Sequence, residues 1–280
     1  MIPVLVHFGI VKIYTMGLFL TAAFFAASFL LWKNIKLTSY KEEEVFDLLF
    51  LSMLGSLFFS RFLYVAMHFD TFGFSLMRFI LINGYPGLSL FGALAGGLLT
   101  LLLLTLSKKI DFLNLTEYIV SPMFLALTIA KIGGFLSGSD IGTQTKFLLS
   151  VHYAGVDGAR HIVALYEALL FFIGFLITYK ILFIVRRDKA KSGTSLMLFF
   201  TYFGLVEMIL DNLKQNHLYL AGLSFDSVVG AAFFIVGTIF LLTTYRHNVV
   251  LIVKNLKKTQ KKHDTTPNLK SNNGTEDSTS

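Results

Sequence analysis

Long apolar runs separated by short clusters of charge and glycine set the pattern of this chain. Seven such runs cover residues 13–32, 45–67, 87–107, 116–136, 163–185, 194–211 and 222–245. At about 1.5 Å per residue, a helix over each run crosses roughly 30 Å of hydrocarbon. Leu, Phe, Ile and Ala fill the runs, and polar residues do not alternate through them. Strands of a barrel would show that alternation, so the pattern predicts helices. The first run has no basic cluster before it and no small-residue cleavage site after it, which reads as an uncleaved anchor. The fold class predicted is all-α: a polytopic integral membrane protein with about seven transmembrane helices.

Composition narrows the function classes. Of 280 residues, 55% are hydrophobic and 15% charged, against roughly 25% charged in a soluble domain. A soluble enzyme, a disordered chain and a coiled coil are excluded. Cysteine is absent, which removes disulfides, thiolate metal sites and a cysteine nucleophile. The net charge of +7 would suggest nucleic acid in a soluble protein, but here it reports topology. Sixteen Lys and Arg residues follow the first, third, fifth and seventh runs, and four follow the second, fourth and sixth: Arg78, Lys146, Arg160 and Lys214. That bias predicts an outside N-terminus and a cytoplasmic C-terminus. Two domains are expected: a membrane domain over 1–245 and a basic, then polar, disordered tail over 246–280. Within the tail, 247–256 is apolar enough for an interfacial helix. The segments 68–86 and 137–162 are long enough to shape a site.

Charge at bilayer depth costs roughly 2.5–3.5 kcal/mol per residue at the centre, so such residues are candidates for function. Five qualify: Arg61, Lys131, Glu167, Glu207 and Asp211. Their formal sum is −1, so an inert salt-bridge network is the competing reading. Arg61 and Tyr64 share a helix face and can hold a phosphate from two directions; the alternative is Arg61 packed against Glu167. Lys131 precedes Gly133, Gly134, Ser137, Gly138, Ser139 and Asp140, a string that permits a tight bend but lacks a P-loop ending. Arg160 and His161 open the fifth run, with Tyr166 and Glu167 following. Glu207 and Asp211 are one turn apart and need a cation between them, for which Lys131 or Arg61 would serve. Small residues at 92, 93 and 95–97 invite the close approach of a helix or a lipid chain.

These pieces, in this order, resemble the prolipoprotein diacylglyceryl transferase family of bacterial inner-membrane enzymes. Phe8-Gly9-Ile10 with Tyr14 and Gly17 is similar to the family's opening. Arg61-Phe-Leu-Tyr64-Val65 resembles R-x-x-Y-V, and Gly87-Leu-Ser-Leu-Phe-Gly92 resembles G-L-S-F-H-G. Lys131-Ile-Gly-Gly-Phe-Leu-Ser-Gly-Ser-Asp-Ile-Gly142 is similar to the signature R-x-G-N-F-x-N-G-E-x-x-G. Arg160-His161 with Leu165-Tyr166-Glu167 resembles R-H-P-x-Q-L-Y-E. Several positions depart from the pattern. Phe91 stands where the family has His, Lys131 where it has Arg, and Glu207 where it has a catalytic Arg on the sixth span.

The resemblance implies transfer of diacylglyceryl from a phosphatidylglycerol-type phospholipid to the lipobox cysteine of a prolipoprotein signal peptide. It implies His161 as base and Lys131 as the second catalytic residue. Arg61, Tyr64, Arg160, Tyr166, Glu167, Tyr14, Ser137 and Asp140 would bind substrate. No metal, cofactor or nucleic acid is implied; the partners are the two substrates and the bilayer. The departures leave two other readings open, a catalytically impaired member that binds lipid or lipoprotein, and an ion-coupled carrier using Glu207 and Asp211.

Overall fold

The computed structural model describes residues 4–8, 11–81, 84–153, 155–215, 219–220 and 223–264. Strands β1 (Val4–Phe8) and β2 (Val11–Tyr14) pair antiparallel, Phe8 against Val11, and lead into α1 (Thr15–Ile35). Then come α2 (Glu42–Met67), the short α3 (Phe69–Phe72) and α4 (Leu76–Ile80), α5 (Leu90–Lys108) and α6 (Phe112–Ser137). A second hairpin, β3 (Ser150–His152) with β4 (Ala159–His161), precedes α7 (Val163–Val185) and α8 (Thr194–Asp211). The two-residue strands β5 (Tyr219–Leu220) and β6 (Leu223–Ser224) precede α9 (Phe225–Asp264).

Among the described residues, seven helical stretches are long and apolar enough to cross a membrane. They are α1, α2, α5, α6, α7, α8 and Phe225–Arg246 of α9. Their ends fall close to those predicted by hydrophobic pattern, so the chain is an all-α polytopic membrane protein. The strand pairs are additions to that prediction. They run for two to five residues, too short for a period of two to stand out in sequence.

Local chemistry fixes the helix starts. Ser89 caps α5 by accepting the Gly92 N–H at 3.2 Å, and Asp111 caps α6 by accepting from Asn114 at 3.2 Å. The start of α8 is held differently. The buried Glu117 carboxylate of α6 accepts the Ser195 N–H at 3.1 Å, satisfying a donor that the first turn leaves without a helical partner.

The small residues of α5 serve helix packing. A side chain at Gly92 would come within 2.7 Å of the Phe59 carbonyl of α2, and one at Gly96 would overlap the Phe59 side chain. One core cluster gathers Phe91, Phe124, Phe171, Phe199 and Phe203, with the Phe171 and Phe203 rings stacked at 5.5 Å. A second gathers Leu31, Ile35, Val45, Leu48, Leu101, Leu115 and Leu182. Phe25, Leu169 and Ile209 remain exposed on their helices, as side chains facing lipid do.

The chain divides into two compact units, Met1–Thr238 and Ile239–Ser280. In the second, the backbone stays helical to Asp264 apart from Tyr245, at φ −108° and ψ 16°. Helical backbone therefore covers the 247–256 run and the first part of the expected tail. Residues 265–280 lie outside the described residues.

Candidate active site

A cavity of about 310 Å³ lies where the ends of α2, α6 and α8 meet the starts of α5, α7 and α9. Six charged side chains line it: Lys131, Asp140, Glu167, Glu207, Lys214 and Asp226. Tyr64, Leu88, Phe91, Val163 and Phe225 supply much of its remaining wall. Two lysines face four carboxylates, a formal balance of −2.

The end of α6 explains how Asp140 reaches Lys131. Gly138 adopts φ 74°, the left-handed conformation that ends a helix, and its N–H bonds back to Gly134 O at 3.1 Å. The Ser139 N–H also donates to Gly134 O at 3.1 Å. The chain thereby folds back over its own last turn. A side chain at Gly134 would come within 2.9 Å of Asp140 Oδ2, so glycine there lets the carboxylate approach. Ser137 belongs to the same turn; its Oγ donates to Gly134 O at 3.1 Å and lies 3.2 Å from Ser139 Oγ.

Lys131 Nζ lies 2.5 Å from Glu167 Oε2 and 3.4 Å from Asp140 Oδ2. Glu167 is buried, and its other oxygen lies 3.2 Å from Lys214. Lys214 also reaches Glu207 Oε2 at 2.6 Å and Asp226 Oδ2 at 3.3 Å. An ammonium has three donors. Among the described residues, Lys214 hydrogen-bonds Glu207 and Asp226 and pairs with Glu167, whereas Lys131 pairs with two carboxylates only. Burial pulls the Lys214 ammonium down, but the carboxylates of Glu207, Glu167 and Asp226 more than offset this and hold it above the usual lysine range.

Backbone pairing delivers Lys214 to this place. The Thr143 N–H donates to Leu213 O at 2.8 Å, and the Gln215 N–H to Ile141 O at 3.1 Å. The segment leaving α6 thus clamps the segment leaving α8. Glu207 and Asp211 consequently do not share the expected Lys131 or Arg61. Glu207 takes Lys214, and Asp211 accepts the Ser227 hydroxyl at 2.5 Å.

Arg61 is buried and works on backbone. Its Nε donates to Phe79 O at 2.9 Å, Nη1 to Gly87 O at 2.8 Å and Nη2 to Arg78 O at 2.7 Å. These bonds pin the α4 loop against the end of α2. Its guanidinium carbon also lies 5.0 Å from the Phe72 ring centre. Tyr64, one turn on, does line the cavity.

The other expected residues fall outside the cavity lining. Tyr14 is 57% exposed at the head of α1. Arg160 Nε donates to Asp157 O at 3.1 Å, and Tyr166 Oη to Leu149 O at 2.8 Å. His161 ends β4, with ring centres of Phe147 and Tyr166 at 6.1 and 6.3 Å. Its Nδ1 is buried without a hydrogen-bond partner among the described residues.

Lys214 and Asp226 are cavity residues that the hydrophobic pattern does not reveal. Both sit just outside or at the edge of apolar runs. One signal was present for Lys214. It is a lone cation seven residues after Glu207, close to two helical turns.

Comparison with known proteins bears on this arrangement. A family model described as prolipoprotein diacylglyceryl transferase matches residues 3–243. Similar proteins carry the name phosphatidylglycerol–prolipoprotein diacylglyceryl transferase. The protein of Clostridioides difficile strain 630 is 24% identical over 86% of this chain and 96% of its own length. That of Listeria monocytogenes serotype 4b is 25% identical over 77% and 80%, and that of Clostridium tetani is 26% identical over 76% and 86%.

Proposed function

The chain belongs to the prolipoprotein diacylglyceryl transferase family, and on that premise we propose that it joins the diacylglyceryl group of phosphatidylglycerol to the lipobox cysteine of a prolipoprotein signal peptide. The observation that carries this assignment is Lys131 lining a cavity and pairing, among the described residues, with two carboxylates only, which leaves one of its three N–H donors for a ligand. Sulfur attacks C3 of the glyceryl group, and the C–O bond to phosphate breaks. Glycerol phosphate leaves with the bonding electrons. Lys131 holds the phosphate through that donor, which strengthens as charge develops on the leaving oxygen. Tyr64, Asp140 and Glu167 complete the headgroup site, with Glu167 orienting Lys131. Arg61, Tyr14, Ser137, Arg160, His161 and Tyr166 shape the surrounding loops.

Every helix end that borders the cavity adjoins the loops poor in Lys and Arg. With the N-terminus outside, the cavity faces the outer side of the bacterial cytoplasmic membrane, where a translocated signal peptide presents its cysteine. Membrane domain 1–245 then contains the whole site, and residues 246–280 are a cytoplasmic extension.

The test uses purified protein in phosphatidylglycerol vesicles with a lipobox peptide, followed by mass spectrometry of the thioether product. Product is expected from wild type and about 100-fold less from Lys131→Met. Phosphatidylglycerol binding without product would instead favour the impaired, lipid-binding reading.

A further inference from the structure

The transfer reaction releases one proton, from the attacking thiol, and the cavity must take it. A thiol is a poor nucleophile until it becomes thiolate. Lysine ammoniums cannot accept a proton, and a phenol such as that of Tyr64 carries its own. Four carboxylates remain. Glu167 bridges both lysines, one through each oxygen. Asp140 and Asp226 have side chains 40% and 33% exposed. Glu167 and Glu207 each leave Oε1 without a hydrogen-bond partner among the described residues, but Glu167 Oε1 lies 3.2 Å from the Lys214 ammonium, whereas no ion pair reaches Glu207 Oε1 among those residues. The Glu207 side chain is 1% exposed, its Oε2 takes Lys214, and its Oε1 is buried. A buried acceptor without a donor calls for an explanation. His161, the other basic side chain considered, is not part of the lining.

We propose that Glu207 is a catalytic residue, the general base that accepts the substrate thiol proton; this rests on the transferase reading above. The S–H bond breaks toward a Glu207 oxygen as the S–C bond forms. The C–O bond to phosphate breaks, and its electron pair leaves with glycerol phosphate. Charge balances within the cavity. The phosphodiester monoanion becomes a monoester dianion as Glu207 becomes neutral. Lys214, no longer neutralised from that side, then acts on the departing phosphate. The proton subsequently passes to the product phosphate or to water. The charged groups around Glu207 are Lys214 beyond α8, Lys131 on α6, Asp140 after it, Glu167 on α7, Asp226 on α9 and Asp211 on its own helix.

The experiment compares Cys and selenocysteine lipobox peptides in phosphatidylglycerol vesicles, because a selenol is already ionised at neutral pH. At pH 7 a free thiol with pKa near 8.5 is only about 3% thiolate. Glu207→Gln is therefore expected to lose about 30-fold or more on the thiol at pH 7. That deficit is expected to narrow about tenfold per pH unit toward 8.5. On the selenol, the variant is expected to stay within about threefold of wild type. Glu207→Asp, which keeps a carboxylate, is expected to exceed Glu207→Gln on the thiol. Equal losses on both peptides, or an Asp variant no better than Gln, would overturn the assignment. Wild type inactive on both peptides would overturn the transferase reading itself, and this assignment with it.

Discussion

Lys214 Nζ sits 2.6 Å from Glu207 Oε2, joining a residue just past the end of α8 to the buried acid within it. Removing one member of a buried pair leaves the other uncompensated, which costs about 3–5 kcal/mol. Lys214→Met is expected to destabilise the protein by that order in chemical unfolding in detergent. Adding Glu207→Leu to Lys214→Met is expected to restore much of the loss, because both charges are then gone. Additive losses across this double-mutant cycle would show that the two residues do not interact.

The same lysine sets a pH window. Its folded state holds it above the ordinary lysine value of 10.5. A cation favoured by folding contributes in full below its unfolded value and loses that contribution as pH rises through the folded one. The stability gap between wild type and Lys214→Met is therefore expected to stay flat from about pH 6 to 9 and to narrow only above about 10.5. Narrowing between pH 7 and 9 would contradict it.

Arg61 fixes a loop through three carbonyls. Lysine keeps the charge but not the planar fork. Arg61→Lys is expected to cost about 2–3 kcal/mol and to speed amide hydrogen exchange at 78–88 relative to the rest of the chain. Unchanged exchange there would separate Arg61 from loop anchoring.

Glu117 makes a separable prediction. Glu117→Ala strips the acceptor from the Ser195 N–H and is expected to lower stability by about 1–2 kcal/mol. Glu117→Gln keeps a carbonyl acceptor and is expected to recover part of that loss. Equal losses for Ala and Gln would argue against the cap.

Span number and approximate helix ends were legible because each run is long and apolar, and the resemblance supplied the reaction. Side-chain partners were not legible. Arg61 reads as a phosphate ligand or a partner of Glu167, and its carbonyl partners stay hidden because nothing in R-x-x-Y-V tells that Arg78, Phe79 and Gly87 return to it. Glu117 sits at the second position of the predicted 116–136 run, where an acid passes for an interfacial residue; its target, the start of α8, lies 78 positions away. Lys214 escaped because loop counting assigns every basic residue outside a run to topology. Its place depends on pairing with residues 141–143, which no local pattern encodes.

The clamp between 141–143 and 213–215 also bears on how the protein is made. Lys131 and Glu167 occupy consecutive spans, so they can neutralise each other before the remaining helices arrive. Glu207 leaves the ribosome only seven residues ahead of Lys214. Glu167 and Glu207 thus each have a cation nearby in synthesis order, which lowers the cost of passing charge into lipid. The cavity itself closes last, once the segment after α8 has paired with 141–143 and α9 has brought Phe225 and Asp226 to its wall. A nascent chain halted after α7 would hold a neutral helical pair and no site, so catalysis waits for near-complete membrane insertion.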